Sequence, residues 1–96
     1  MSVTVIHEPE RHRFIAHLDV GDGVLLYNRP DGRTIDLEHT EVPTAARGQG
    51  VADLLTKAAI DYARANKLRV IPSCPFVRKW LARHPEERDV LADPTG

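Results

Sequence analysis

The apolar positions alternate like strands up to about residue 42 and recur at helical spacing from residue 50 onward. Residues 2–8 alternate through Val3 and Val5, which predicts an edge strand. Over residues 13–18, Phe14, Ala16 and Leu18 share one face. Gly21-Asp22-Gly23 predicts the turn into a third strand at residues 24–28. Pro30-Asp31-Gly32 predicts a tight hairpin, with the proline presetting φ and the glycine in the left-handed position. Residues 34–42 then complete a four-stranded antiparallel meander. In that fourth strand Ile35, Leu37 and His39 share a face, and Val42 falls out of step. A β-bulge between His39 and Val42 accounts for the shift, as does an end to the strand near Thr40 and Pro43.

From residue 50 to about 66, Val51, Leu54, Leu55, Ala58, Ala59 and Tyr62 follow i, i+3, i+4, i+7 spacing and predict the buried face of a central helix. Residues 68–72 predict a fifth strand around Val70 and Ile71. A strand–helix–strand crossover makes strands four and five parallel neighbours. Ser73-Cys74-Pro75 opens a further helix with the stripe Phe76, Val77, Trp80 and Leu81, and Pro85 stops it. Residues 85–91 predict a last short helix, with Glu86, Glu87, Arg88 and Asp89 on its surface, and residues 93–96 a frayed tail.

Composition narrows the function classes. The 96 residues form one expected domain, 1–96, with 42% hydrophobic and 28% charged residues. The apolar runs are too short for a membrane span or a signal h-region, so no membrane partner is expected. Thirteen basic and 14 acidic residues give a net charge of −1, without the basic excess of a sequence-independent nucleic-acid binder. The lone Cys74 excludes an internal disulfide framework and fits a reducing cytoplasm. His7, His12 and His17 lack metal-ligand spacing and read as surface residues; no metal is expected.

The segment Val42-Pro-Thr-Ala-Ala-Arg-Gly-Gln-Gly-Val-Ala52 follows a strand and opens a helix. Gly48 and Gly50 let backbone N–H groups converge, and such groups at a helix N-terminus bind phosphate. Arg47 adds a planar cationic fork. A P-loop is excluded because the lysine followed by Ser or Thr is missing. The dinucleotide fingerprint is excluded because its third glycine is absent and the preceding sheet is antiparallel. Two glycines alone also fit a turn that only lets the helix pack closely.

Arg47-Gly48-Gln49-Gly50-Val51-Ala52 resembles the R-x-x-G-x-G/A motif of the GCN5-related N-acetyltransferases. Glu38-His39-Thr40-Glu41-Val42-Pro43, Cys74-Pro75-Phe76-Val77-Arg78-Lys79 and His84-Pro85 further resemble the acetyltransferase-like subfamily of about 100 residues. The resemblance covers nearly the whole chain. It implies an α+β, truncated acetyltransferase-like fold: a four-stranded meander, a central helix, a fifth strand parallel to the fourth, and C-terminal helices. It implies acetyl-CoA or CoA as co-substrate, with the pyrophosphate on the backbone from Arg47 through Gly48, Gln49, Gly50 and Val51 to Ala52. The pantetheine arm would hydrogen-bond near Glu41 and Val42. Larger members carry N-terminal helices that shape the acceptor pocket, and no helical segment is expected here before the fourth strand. They often place a tyrosine after the fifth strand, where this chain has Cys74.

His39 and Cys74 are the candidate catalytic residues. On neighbouring strands they would approach one another near the thioester. Either an amine attacks acetyl-CoA directly while His39 takes the proton, or Cys74 carries the acetyl group and His39 activates it. Each residue also fits a plainer role, His39 as a satisfied core histidine and Cys74 as a small buried apolar residue. Strand alternation puts Glu38 opposite His39, and Glu38 and Glu41 are alternative bases. Phe76 and Trp80 read as core, and Arg78, Lys79 and Arg83 as a basic helix side. The expected activity is N-acetyl transfer to an unidentified amine, small molecule or protein. The rival is a non-catalytic CoA-binding or protein-interaction module.

Overall fold

The computed structural model describes residues 3–92; the expectations for Ser2 and for residues 93–96 lie outside the described residues. Five strands form one sheet in chain order: β1 (Val5–Glu8), β2 (Arg13–Leu18), β3 (Gly21–Asp31), β4 (Thr34–Glu41) and β5 (Arg69–Ile71). The first four are antiparallel, and β5 runs parallel to β4. Two helices follow the meander, α1 (Val51–Ala65) and α2 (Pro75–Arg83), with a 3-10 segment at Pro85–Val90. A single 3-10 turn, Pro9–Arg11, links β1 to β2, so one helical turn does precede the fourth strand.

β3 is longer than the pattern suggested. Gly21-Asp22-Gly23 is not a turn; these residues pair with Leu18, His17 and Ala16, and the turn is Asp19-Val20. Gly23 is explained by packing. A Cβ there would lie 3.0 Å from Val51 Cγ1, so the glycine lets the first turn of α1 sit directly on the sheet. At the far end the register shifts between Asn28 and Asp31, which places Pro30 at a bulge where its missing N–H breaks no ladder bond. The β3–β4 turn is Gly32-Arg33, held by Asp31 Oδ1 accepting the Arg33 N–H at 2.8 Å. Gly32 is not in the left-handed region.

The bulge in β4 exists, but one step earlier than expected. Leu26 opposes His39 while Tyr27 opposes Leu37, so Glu38 is the extra residue. Ile35 and Leu37 are buried, whereas Glu38 and His39 are both exposed. His39 therefore leaves the face of Leu37, and Glu38 is not separated from it by alternation.

One core lies between the inner sheet face and the helices. Phe14, Ala16, Leu25, Tyr27, Ile35, Leu37 and Val70 meet Val51, Leu55, Ala59, Ile60 and Ala63 of α1 and Val77, Trp80 and Leu81 of α2. The face of α1 is rotated from the expected one. Ile60, Ala63 and Thr56 are buried, and Leu54 is 43% exposed. Thr56 enters the core because its hydroxyl donates to the Ala52 carbonyl at 2.8 Å. Helix α1 ends in a Schellman pattern, with Leu68 N–H on Ala63 O at 2.8 Å and Lys67 N–H on Arg64 O at 3.2 Å. Lys67 fills the left-handed position that glycine favours, at φ 56°.

Two polar groups assigned to the surface are built into the structure. Glu87 is only 8% exposed and lies 2.6 Å from Lys57 Nζ and 2.8 Å from Arg64 Nη1. The Lys57 hydrogen bond leads in holding its carboxyl below the usual range, and the pairs tie the 3-10 segment to α1. His7 stacks on Phe14, meets the edge of Tyr62, each at 4.3 Å, and places Nε2 2.6 Å from the Tyr27 hydroxyl. Burial pushes its pKa down, outweighing the opposing effect of Glu10, and Arg29 adds to the lowering.

Lys67→Gly relieves the left-handed strain and raises stability by about 1 kcal/mol, read as a higher midpoint in urea unfolding. His7 binds a proton more readily unfolded than folded. Stability therefore falls as pH drops below the unfolded value near 6.5, ahead of the carboxylate range, and His7→Gln flattens that part of the melting-temperature profile.

Candidate functional site

β4 and β5 pair over only three positions, Thr34 with Arg69, Ile35 with Val70 and Asp36 with Ile71. Pro72 follows, without an N–H to continue the ladder. The chain touches β4 once more, through Cys74 N–H on Leu37 O at 2.8 Å, and then enters α2. Beyond that contact the end of β4 is unpaired on its β5 side. The opening is a cleft of about 770 Å³, lined by His39–Val42, the loop at Ala46, Arg47, Gly48 and Gly50, the first turn of α1, and Phe76 and Arg83 of α2.

The loop gives one wall of the cleft its chemistry. A 3-10 turn at Thr44–Ala46 leads to Gly48 at φ 84° and Gly50 at φ 79°. Both need the left-handed region, and a Cβ on either would meet no protein atom within 4 Å, so it would project into open space. The first hydrogen bond across the helix start is Leu54 N–H to Gly50 O at 3.1 Å. Among the described residues, the N–H groups of Gly48, Gly50, Val51, Ala52 and Asp53 have no acceptor. Unpartnered donors at the positive end of a 15-residue helix make an anion cradle. Arg47 is exposed and makes no ion pair or hydrogen bond among the described residues, while Arg83 is 4.0 Å from Asp53. This donor set suits a diphosphate.

Most of the sequence-derived candidates converge here. His39, Glu41, Val42, Arg47, Gly48, Gly50, Val51 and Ala52 line the cleft. Gln49 does not; it is exposed, and its N–H is used by Ala46 O at 3.3 Å. His39 and Cys74 are not brought together. The His39 ring is exposed, with Nε2 3.5 Å from Glu41 Oε2. Cys74 is 4% exposed in the core, with Sγ 3.4 Å from Thr40 Oγ1, so the two candidates contact consecutive residues of β4, Thr40 and Glu41, whose side chains take opposite faces.

A sequence profile of the GCN5-related N-acetyltransferase family matches residues 13–90. The chain belongs to that family. It is 37% identical to Protein NATD1 of Xenopus tropicalis over 86 residues, covering 88% of this chain and 79% of that protein. Protein NATD1 of Homo sapiens is 36% identical over 85 residues, covering 86% of this chain and 75% of its own length. The NMR solution structure of a GCN5-like protein from Staphylococcus aureus superposes with a TM-score of 0.72 at 28% identity, covering 92% of this chain and 86% of that one. The mixed sheet with parallel β4–β5 and the central helix is thus the acetyltransferase-like fold.

Four cleft residues of this family member, Thr40, Ala46, Asp53 and Phe76, escaped the sequence reading as site residues, and of the basic helix side Arg78, Lys79 and Arg83 only Arg83 is among the residues that line the cleft. Phe76 and Arg83 carried a usable signal, since seven residues are about two helical turns and place both on one face of α2. Phe76 belongs to the apolar stripe of α2 but is only partly buried, and it lines the cleft.

Gly50→Ala forces a Cβ onto a left-handed residue at the cradle. It costs about 1–2 kcal/mol in urea unfolding. It also weakens binding of inorganic diphosphate in calorimetric titration, while Gln49→Ala changes neither.

Proposed function

We propose that the cleft binds acetyl-CoA and that the protein transfers its acetyl group to an amine. The observation that carries this reading is the set of unpartnered amides of Gly48, Gly50, Val51, Ala52 and Asp53 opening onto the gap between β4 and β5. The cradle and Arg47 hold the pyrophosphate by charge-assisted hydrogen bonds. Past Leu37 the β5 side of β4 is unpaired, and there, near Glu41 and Val42, the strand edge offers backbone groups to the amide-containing arm, as a strand edge does to an extended chain. Acetyl-CoA supplies the thioester. The amine attacks its carbonyl carbon, the C–S bond breaks, and the CoA thiolate leaves. His39, exposed at the mouth and paired among the described residues with Glu41 alone, is placed to accept the proton the amine loses.

The buried position of Cys74 favours direct attack over an acetyl-cysteine route. Its thiol would have to leave Thr40 and the core before it met a thioester in the cleft. Its backbone already has a structural task, since its N–H closes the apex of the strand gap on Leu37.

Titration with acetyl-CoA is expected to give saturable heat, weakened about tenfold or more by Arg47→Ala. Thiol release with added amines is expected to fall about 10²- to 10⁴-fold in His39→Ala, with acetyl-CoA affinity retained. Cys74→Ala keeps its turnover. No heat at millimolar ligand rejects the reading. Tight binding with no thiol release from any amine assigns the chain to the non-catalytic module instead.

A further inference from the structure

The sheet has a second face that the helices do not cover. The register puts Ile6, Ile15, Val24 and Glu41 in one row across β1–β4, and Glu8, Arg13, Leu26 and His39 in the next. Ile15 is buried between its neighbours yet belongs to no part of the core under the helices. Ile6 is 43% and Leu26 38% exposed. An apolar row of Ile6, Ile15 and Val24 thus crosses three strands and ends at Glu41, and Leu26 of the next row stands beside His39, the second side chain at the cleft mouth.

Charge on this face is uneven. Across β1–β3, Glu8 is neutralised by Arg13 at 2.6 Å and Asp22 is held by the His17 ring at 2.9 Å. On β4 the balance differs. Glu38 has no ion-pair partner among the described residues, and Glu41 has only His39. The bulge at Glu38 makes this possible, since it leaves Glu38 and His39 exposed side by side. Net negative charge is therefore focused where the apolar row meets the cleft.

We propose that this outer face docks a polypeptide acceptor presenting a lysine flanked by apolar side chains. The proposal rests on the acetyl-transfer reading and names its substrate class. The carboxylates of β4 attract the ammonium, and the apolar row holds the flanking side chains. A polyamine would use the carboxylates but gain nothing from Ile6 and Leu26. At the mouth the lysine ammonium gives up one proton to solvent water to become the attacking amine; as the amide forms and the CoA thiolate leaves, its second proton passes to His39.

The test compares two capped pentapeptides, Gly-Leu-Lys-Leu-Gly and Gly-Gly-Lys-Gly-Gly, with spermidine as the small amine. The leucine-flanked peptide is expected to show about tenfold higher kcat/KM than the glycine-flanked one. Ile6→Glu and Leu26→Glu should each abolish that preference, with acetyl-CoA affinity and melting temperature showing that the variants fold. Equal rates for both peptides overturn the proposal, as does spermidine being the best acceptor or the preference surviving in both variants. Wild-type protein sedimenting as a dimer that either variant dissociates assigns the face to a second copy and also overturns it. If no amine is acetylated, the acetyl-transfer reading fails, and docking is read separately from amide NMR shifts of the labelled wild-type protein with CoA. Shifts at Ile6, Val24 and Leu26 with the leucine-flanked peptide alone support docking. Their absence, or equal shifts with both peptides, refutes it.

Discussion

Everything functional in this structure depends on two parallel strands that stop pairing. The β4–β5 ladder lasts three positions, because Pro72 has no N–H to donate and the chain must turn away. Cys74 fixes where the gap begins by one backbone bond to Leu37, and Pro75 starts α2 at that point. The cleft is thus a termination defect in a sheet, held open by the helices that seal its inner side. Its anion cradle is placed by a second constraint. Only a residue without a Cβ at position 23 lets the first turn of α1 rest on β3, which brings the free amides level with the end of β4.

The meander, the crossover and both helices are legible in the chain because alternation and helical period report burial directly. The failures have identifiable causes. Glycine signals two different things, a turn or a close approach, and at Gly21 and Gly23 the sequence alone does not separate them. Leu54 is as apolar as Leu55, but the angle at which α1 lies on the sheet buries Ile60 and Ala63 in its place. His7 and Glu87 look like surface residues until Tyr27, Lys57 and Arg64 arrive from distant parts of the chain.

The same division holds for the site. The glycine motif reads out well, since positive φ and missing Cβ atoms are local properties. His39 and Cys74 are each in telling places, yet their relation depends on where the extra residue in β4 falls. One step separates a bulge at Glu38 from one after His39, and that step decides which face His39 joins. It also sets Glu38 beside His39 instead of behind it.

The strand order of the sheet follows the order of the chain, and this governs how the molecule is assembled. β1–β4 can form by successive hairpins with short loop closures, the fast part of the process. The slow closure is the crossover through α1 that brings β5 beside β4, followed by the return of Leu91 and Ala92 to the outer edge of β5. The cleft walls come from both sides of that last closure. The acetyltransferase-like site is therefore incomplete until that closure is made.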